Sequence, residues 1–223
     1  MDIIEAIRTR KSMRGYKPEP VPKEVLEKVL DAAIRSPSSM NTQPWEITVV
    51  AGEVLDNIRK GNVEMFTSGA AINPEVPMPS YGGKYKQRQV ELAIQLFQLM
   101  GIGREDKEKR AEWMQKGLRF FDAPAVIILS IDSSLGEGHA LLGIGAILQS
   151  ICLAALNYGL GTCIEGQGVF SPEVVRRFTN IPESRRIVMA IAVGYPDWDF
   201  PANKVESKRE PVESVTTWCG FDS

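Results

Sequence analysis

The spacing of apolar residues changes several times along the chain, and each change predicts an element. Ile3, Ile4 and Ile7 share one face of a helix over residues 2–9. Three prolines in YKPEPVPKE (16–24) forbid a helix until Pro22, after which Val25, Val29, Leu30 and Ala33 recur at helical spacing. WEITVVA (45–51) is rich in β-branched residues and predicts a strand, with a short helix around Val54–Ile58 behind it. Residues 61–83 read as loop, with Asn73, Pro74, Pro77, Pro79, Gly82 and Gly83, and two helices follow over 84–101 and 105–120. PAVIILSID (124–132) predicts a second strand. An apolar helix over 139–158 is stopped by Gly159 and Gly161, and a helix apolar all round belongs in a core. GTCIE (161–165) is a short third strand. SPEVVRRF (171–178) opens a helix with Ser171 as cap and Pro172 in the first turn, and RRIVMAIAVGY (185–195) is a fourth strand.

Strands separated by one or two helices, without an internal repeat, predict mixed α/β layers, an α+β fold in one domain over 1–223. The polar tail 201–223 follows the last strand and is expected to pack outside the monomer core, most simply on a partner subunit.

Composition narrows the chemistry. The chain has 223 residues, 43% of them apolar and 24% charged, with a net charge of −2, which argues against a dedicated nucleic-acid binder. No apolar run is read as reaching the length of a membrane span, and the first ten residues do not read as a secretory signal. Cys152, Cys163 and Cys219, odd in number and widely spaced, read as reduced thiols of a cytoplasmic protein. One histidine, His139, supplies neither a zinc site nor the usual triads. Chemistry done by such a chain would rest on an organic cofactor.

Within this nearly neutral chain, RTRKSMRGY (8–16) gathers Arg8, Arg10, Lys11 and Arg14. The run is either a solvated helix C-terminus or an anion site. In an extended segment Arg10, Ser12 and Arg14 point to one side, two guanidiniums and a hydroxyl suited to a phosphate. Lys208 and Arg209 could complete that clamp from the tail, or lie on the surface. SPSSMNTQPW (36–45) offers Ser38, Ser39, Asn41 and Gln43, uncharged donors and acceptors suited to a hydrogen-bonding ligand edge or to satisfying the loop's own backbone. GTCIEGQG (161–168) has glycines that allow backbone to approach a flat ligand, or that make a tight turn. It matches neither a P-loop nor a dinucleotide fingerprint.

Taken in order, these stretches, with GYPD (194–197) and KREP (208–211), resemble the FMN-dependent nitroreductase family, and the segment from Tyr85 to Pro124 resembles its nitroaromatic reductases. The resemblance spans nearly the whole chain. It implies a mostly antiparallel sheet flanked by helices and an intertwined homodimer, with tail 201–223 reaching the partner. It implies FMN as cofactor and NADH or NADPH as electron donor. Nitroaromatics, quinones or similar small molecules are the acceptors, with neither nucleic acid nor membrane as partner. Arg10, Lys11 and Ser12 match positions that hold the FMN phosphate, and Arg14 one near the N1–C2 edge of the ring, where it supports the reduced flavin. Ser38, Ser39, Asn41 and Gln43 match a loop brought by the partner. Glu165 and Gly166 match backbone donors at N5 and O4. Lys208 and Arg209 match the C-terminal clamp, although Ser207 stands where many relatives carry a cation. No side chain is implied as nucleophile, since flavin N5 carries the hydride. Tyr81, Tyr85, Arg88, Phe120 and Phe121 are candidates for a substrate lid or for ordinary packing. Flavin reductase, enone reductase, reductive dehalogenase and a non-catalytic FMN carrier or sensor are the alternatives.

Overall fold

The computed structural model describes residues 2–221. Its strands are β1 (Trp45–Ala51), β2 (Ala125–Asp132), β3 (Gly161–Glu165) and β4 (Arg185–Gly194). They form one sheet in the order β1-β2-β4-β3 with every pairing antiparallel. The helices are α1 (Ile3–Thr9), α2 (Lys23–Ala33), α3 (Gly52–Thr67), α4 (Gly83–Leu99), α5 (Lys107–Leu118), α6 (Glu137–Leu156) and α7 (Pro172–Thr179). Central β2 is buried from Ala125 to Ile131, which is why its sequence is a continuous apolar run rather than an alternation. One face of the sheet is covered by α2 and α6, where Leu26, Val29, Ile144, Ile147 and Ile151 meet Ile127, Leu129 and Ile191. The other is covered by α3 and α7, where Leu55, Ile58, Val174 and Val175 meet Val126, Ile128, Ala190 and Ala192. The result is a three-layer α+β fold.

The structure departs from the sequence reading in several places. Helix α3 continues to Thr67, so residues 61–67 are helix rather than loop. Gly61, read as the start of a loop, is a contact point: a Cβ there would fall 2.6 Å from Val174 Cγ1, so glycine lets α3 and α7 approach. The chain from Phe120 to Asp122 is not the end of a helix but a turn of three non-glycine residues in the left-handed region, φ 56°, 55° and 58°. Asp122, bonded by Lys116 and Arg119, and Arg59, bonded to the carbonyls of Arg119 and Ala123, hold it. The Ser171 hydroxyl caps nothing; its backbone carbonyl accepts the first bond of α7 instead. Helix α6 is, contrary to the sequence reading, long and apolar enough to cross a bilayer, yet it packs against α2 and the sheet through Ile144, Ile147 and Ile151. Its Leu142 remains 71% exposed, so it is not a core helix all round.

Loop 68–82 is fixed near its middle. Asn73 N–H donates to the Phe170 carbonyl at 3.0 Å. The Glu75 carboxylate accepts from Arg176 Nη2 at 2.6 and 2.8 Å and from Ile187 N–H at 2.7 Å. Arg176 also donates to the carbonyls of Ile181, Pro182 and Arg185, so this largely buried guanidinium is well satisfied.

Candidate functional site

Short helix α1, capped at its start by the Asp2 carboxylate, ends at Arg10, and the chain then runs extended alongside β3. Ser12 forms a parallel bridge with Thr162, and Met13 N–H donates to the Thr162 carbonyl at 2.9 Å. The segment therefore occupies the edge of the sheet that β3 would otherwise leave open. Met13 and Gly15 are buried, while Arg10, Ser12 and Arg14 alternate with them and stay partly exposed on the other side, as the spacing predicted. Gly15 is required at its position: a Cβ there would fall 2.3 Å from Phe200 Cγ. The Tyr16 hydroxyl donates toward the carbonyls of Met13 (2.8 Å) and Ala192 (3.2 Å).

One buried side chain fixes this segment from the far end of the chain. Asn203 accepts from Arg14 N–H at 2.6 Å and donates to the carbonyls of Gly15 (2.8 Å) and Asp197 (2.7 Å). Its amide thus sets the backbone on which Arg14 stands. Nothing in the spacing of DWDFPANK marked it, since a polar residue between prolines reads as loop.

Arg10, Lys11 and Arg14 are each half-buried, and none pairs with a carboxylate among the described residues. Among the described residues Arg14 makes a single long side-chain bond, to the Ser12 carbonyl at 3.4 Å. By contrast Arg176, Arg186 and Arg59, comparably enclosed, all have carboxylate partners. Cations held partly out of water with no counter-charge are suited to an anion. Arg10 and Arg14 act in different places. The positive charge of Arg10 reaches Cys152 on α6, and that of Arg14 reaches Cys163 on β3 and Tyr16. Burial outweighs both, pushing Cys152 up, Cys163 up to about 12 and Tyr16 well up, so all three are neutral and leave the arginine charge uncompensated.

Strand β3 ends at Glu165, whose carboxyl is buried and pushed up to about 8 by that burial, against the opposing N–H bonds of Gly168 and Gln167. Gly166 follows, flanked by Phe170 and Met189: a Cβ on it would lie 3.6 Å from the Phe170 ring and 3.8 Å from Met189 Sδ. Asn62 holds the loop from behind, donating Nδ2 to the carbonyls of Gly168 (2.8 Å) and Leu118 (3.0 Å). Phe120 closes the back, for a Cβ on Gly168 would fall 2.1 Å from its Cε1.

That placement decides between the two readings given for Phe120 and Phe121, in favour of packing. Phe120 is fully buried and Phe121 nearly so, both inside the α3/α7 core, so neither forms a substrate lid. Phe120 instead supports the loop after β3. Tyr81, Tyr85 and Arg88 are exposed on and before α4. Arg88 pairs with Glu210 at 2.9 Å, its guanidinium 5.7 Å from the Tyr85 ring, and it lines a groove of about 760 Å³ with Leu92, Gln95, Lys208 and Arg209. Among the described residues Arg209 bonds only to its neighbours Ser207 and Lys208. No hydrogen bond joins Lys208 or Arg209 to residues 10–14 of the same chain, so within one subunit the expected clamp is not assembled.

Loop 38–44 packs on α6, where a Cβ on Gly143 would meet Pro44 at 2.8 Å. The Ser38 hydroxyl accepts Gln43 N–H at 2.9 Å. Met40, Asn41 and Gln43 all have positive φ, 49°, 58° and 46°, and Met40 is 95% exposed. Three non-glycine residues in the left-handed region within four positions store strain, and such strain clusters where ligands are held. Ser39, Asn41 and Gln43 project from this exposed loop.

Comparison with known proteins matches residues 7–195 to the nitroreductase family. The chain belongs to that family. The chloronitrobenzene nitroreductase of Comamonas testosteroni is 32% identical over 220 residues, covering 97% of this chain and 96% of that one. The FMN- and NADPH-dependent nitroreductase of a Sphigopyxis strain superposes with a TM-score of 0.95 at 26% identity, over 99% of this chain and all of the other. The FMN-dependent nitroreductase of Mycobacterium smegmatis, solved with NADPH, gives 0.91 at 25%, over 97% of each chain. As a nitroreductase-family chain, the protein has the antiparallel sheet that the resemblance implied.

Proposed function

We propose that this nitroreductase-family chain binds FMN and reduces nitroaromatic acceptors with electrons from NADH or NADPH, working as a homodimer. The observation that carries the reading is the set of half-buried, carboxylate-free cations Arg10, Lys11 and Arg14 along the edge of β3. A flavin mononucleotide suits it, having a dianionic phosphate at one end and a ring that gains negative charge at the other. The relatives named for FMN and for chloronitrobenzene support the same reading.

When bound, FMN supplies the two-electron chemistry that the side chains lack. The chain's own residues do the rest. Arg10, Lys11 and Ser12 neutralise and bond the phosphate, with charge-assisted geometry. Arg14, its backbone fixed by Asn203, presents a positive charge prepared in advance for the ring. The backbone of Glu165 and Gly166, held from behind by Asn62 and Phe120, offers donors to the ring edge. Ser39, Asn41 and Gln43 of one subunit, and Lys208 and Arg209, complete the site of the other. The apolar faces left open in one chain support this assembly: Ile3, Ile4 and Ile7 on α1, Leu142 on α6, and Val215, Trp218 and Phe221 in the tail are all exposed. Tyr81, Tyr85 and Arg88 border the acceptor side.

The test is the chromophore. The purified protein is expected to be yellow and to release FMN on denaturation, and NAD(P)H oxidation is expected to depend on an added nitroaromatic. Recovery of FAD alone, or a colourless protein that does not take up added FMN, overturns the reading. A yellow protein with no turnover on any acceptor leaves the carrier or sensor function in its place.

A further inference from the structure

We propose that the Glu165 side chain is protonated beside the reduced cofactor ring, and that in alkaline solution, where the oxidised protein holds it ionised, it takes up a proton from solvent as the ring gains negative charge. The proton then offsets that charge close to where it lands. The inference rests on the FMN reading above.

The geometry is that of a carboxyl group awaiting a proton. Glu165 Oε2 accepts Gly168 N–H at 3.0 Å, but Oε1 is buried with no hydrogen-bond partner among the described residues. No ion pair reaches Glu165 among the described residues, although the side chain is only 7% exposed. On the other side of Gly168 stands Asn62, whose Oδ1 is also buried without a partner. Around this glycine the chain therefore presents two unmet acceptor oxygens. An ionised Glu165 leaves both without a donor, whereas a protonated Glu165 carries one itself.

The neighbours leave Glu165 as the group that titrates. From the N-terminal segment it is faced by Tyr16, which burial keeps neutral, and Arg14 lies beyond, its positive charge felt by Tyr16 and Cys163. Cys163, two residues earlier on β3, is also held neutral by burial. The partner position on β4 is Ala190, and at Gly168, whose N–H the carboxylate holds, stand the uncharged Asn62 and the Phe120 ring. Burial already pushes the Glu165 carboxyl up to about 8. Negative charge arriving at the backbone of residues 165 and 166 pushes it further in the same direction.

The step balances. A hydride delivers two electrons and one proton and leaves one net negative charge. Above about pH 8, where the oxidised protein holds it ionised, Glu165 forms a single O–H bond to a proton from solvent and breaks no other bond. When the acceptor removes the electrons, Glu165 returns that proton. A side chain that only staples its loop through the Gly168 N–H would show no such exchange.

The test is the pH dependence of the flavin midpoint potential in the FMN-loaded full-length protein. Below about pH 8, Glu165 is protonated in both redox states and the protein should take up one proton per electron pair. Above it, Glu165 is ionised when oxidised and protonated when reduced, and uptake should rise to two. Glu165→Gln should remove the break and leave one proton throughout. Carbon-13 NMR of the Glu165 carboxyl in the oxidised FMN-loaded parent, which needs no variant, should show a titration near pH 8. A break that persists in Glu165→Gln, no break in the parent, or a carboxyl titrating in the ordinary glutamate range would each overturn the inference. Failure of the parent to hold FMN would overturn the cofactor reading instead.

Discussion

At the scale of single residues, the site distributes positive charge between two ends of one short segment. Arg10 reaches α6 and Arg14 reaches β3, so their removal should have different signatures. Arg10→Ala deletes a charge-assisted bond to phosphate, worth roughly 1.5–3 kcal/mol, a loss of about tenfold to a hundredfold in FMN affinity. The flavin that remains should keep its potential. Arg14→Ala should weaken binding and also lower the potential, because the lost cation faces charge present only after reduction. Redox titration with FMN saturating separates the two, and equal potentials in Arg14→Ala and the parent would remove Arg14 from the ring. A second prediction concerns stability. A carboxyl whose ordinary value is 4.5 and whose folded value is about 8 keeps its proton in the folded state where the unfolded chain releases it. Stability contributed by Glu165 is therefore full below pH 4.5 and is lost as pH rises toward 8, by about 1.4 kcal/mol per pH unit. In the flavin-free chain, Glu165→Gln should flatten the urea-unfolding profile across that window. A parent-minus-variant difference that does not change with pH contradicts the burial argument.

At the scale of elements, the loop after β3 is held by contacts that leave no room for a side chain. Gly168 faces the Phe120 ring, and Phe120 is itself set by a left-handed turn tied to Lys116, Arg119 and Arg59. Gly168→Ala should force that ring aside and cost about 1–3 kcal/mol, with a parallel loss of FMN affinity. Thermal unfolding and flavin titration check it, and an unchanged melting temperature would show that the ring has room to move. The same loop shows where sequence reading stops. The four strands, α2, α6, α7 and the alternation of Arg10, Ser12 and Arg14 were legible because each rests on local periodicity or spacing. Asn62, Asn203 and the support role of Phe120 were not, because each depends on a contact between segments from 48 to 189 positions apart. Gly61 misled for a related reason: a glycine chosen for helix–helix contact looks the same in sequence as one chosen for a turn.

At the scale of the whole molecule, the proposed site is shared between two chains. The exposed isoleucines of α1, the open Leu142 of α6, the projecting loop 38–44 and the tail with Trp218 and Phe221 all call for a second copy. Light scattering is expected to give twice the chain mass, and FMN occupancy is expected to fall when dilution separates the subunits. A monomer holding FMN at full occupancy would refute the shared site. Truncation after Val205 should leave the fold intact, since among the described residues the tail beyond Val205 contributes no buried one, but should weaken FMN binding through loss of Lys208 and Arg209.

The hydrogen bond between Arg14 and Asn203 spans 189 positions. During synthesis the basic segment is made well before the asparagine that fixes it. The edge of β3 on which it lies is itself made only after residue 160. A growing chain therefore carries Arg10, Lys11 and Arg14 through the synthesis of β3 and Asn203 without the geometry that later fixes them. On the proposed reading, capture of FMN waits until Asn203 has been made, and fragments that end before it are expected not to hold flavin.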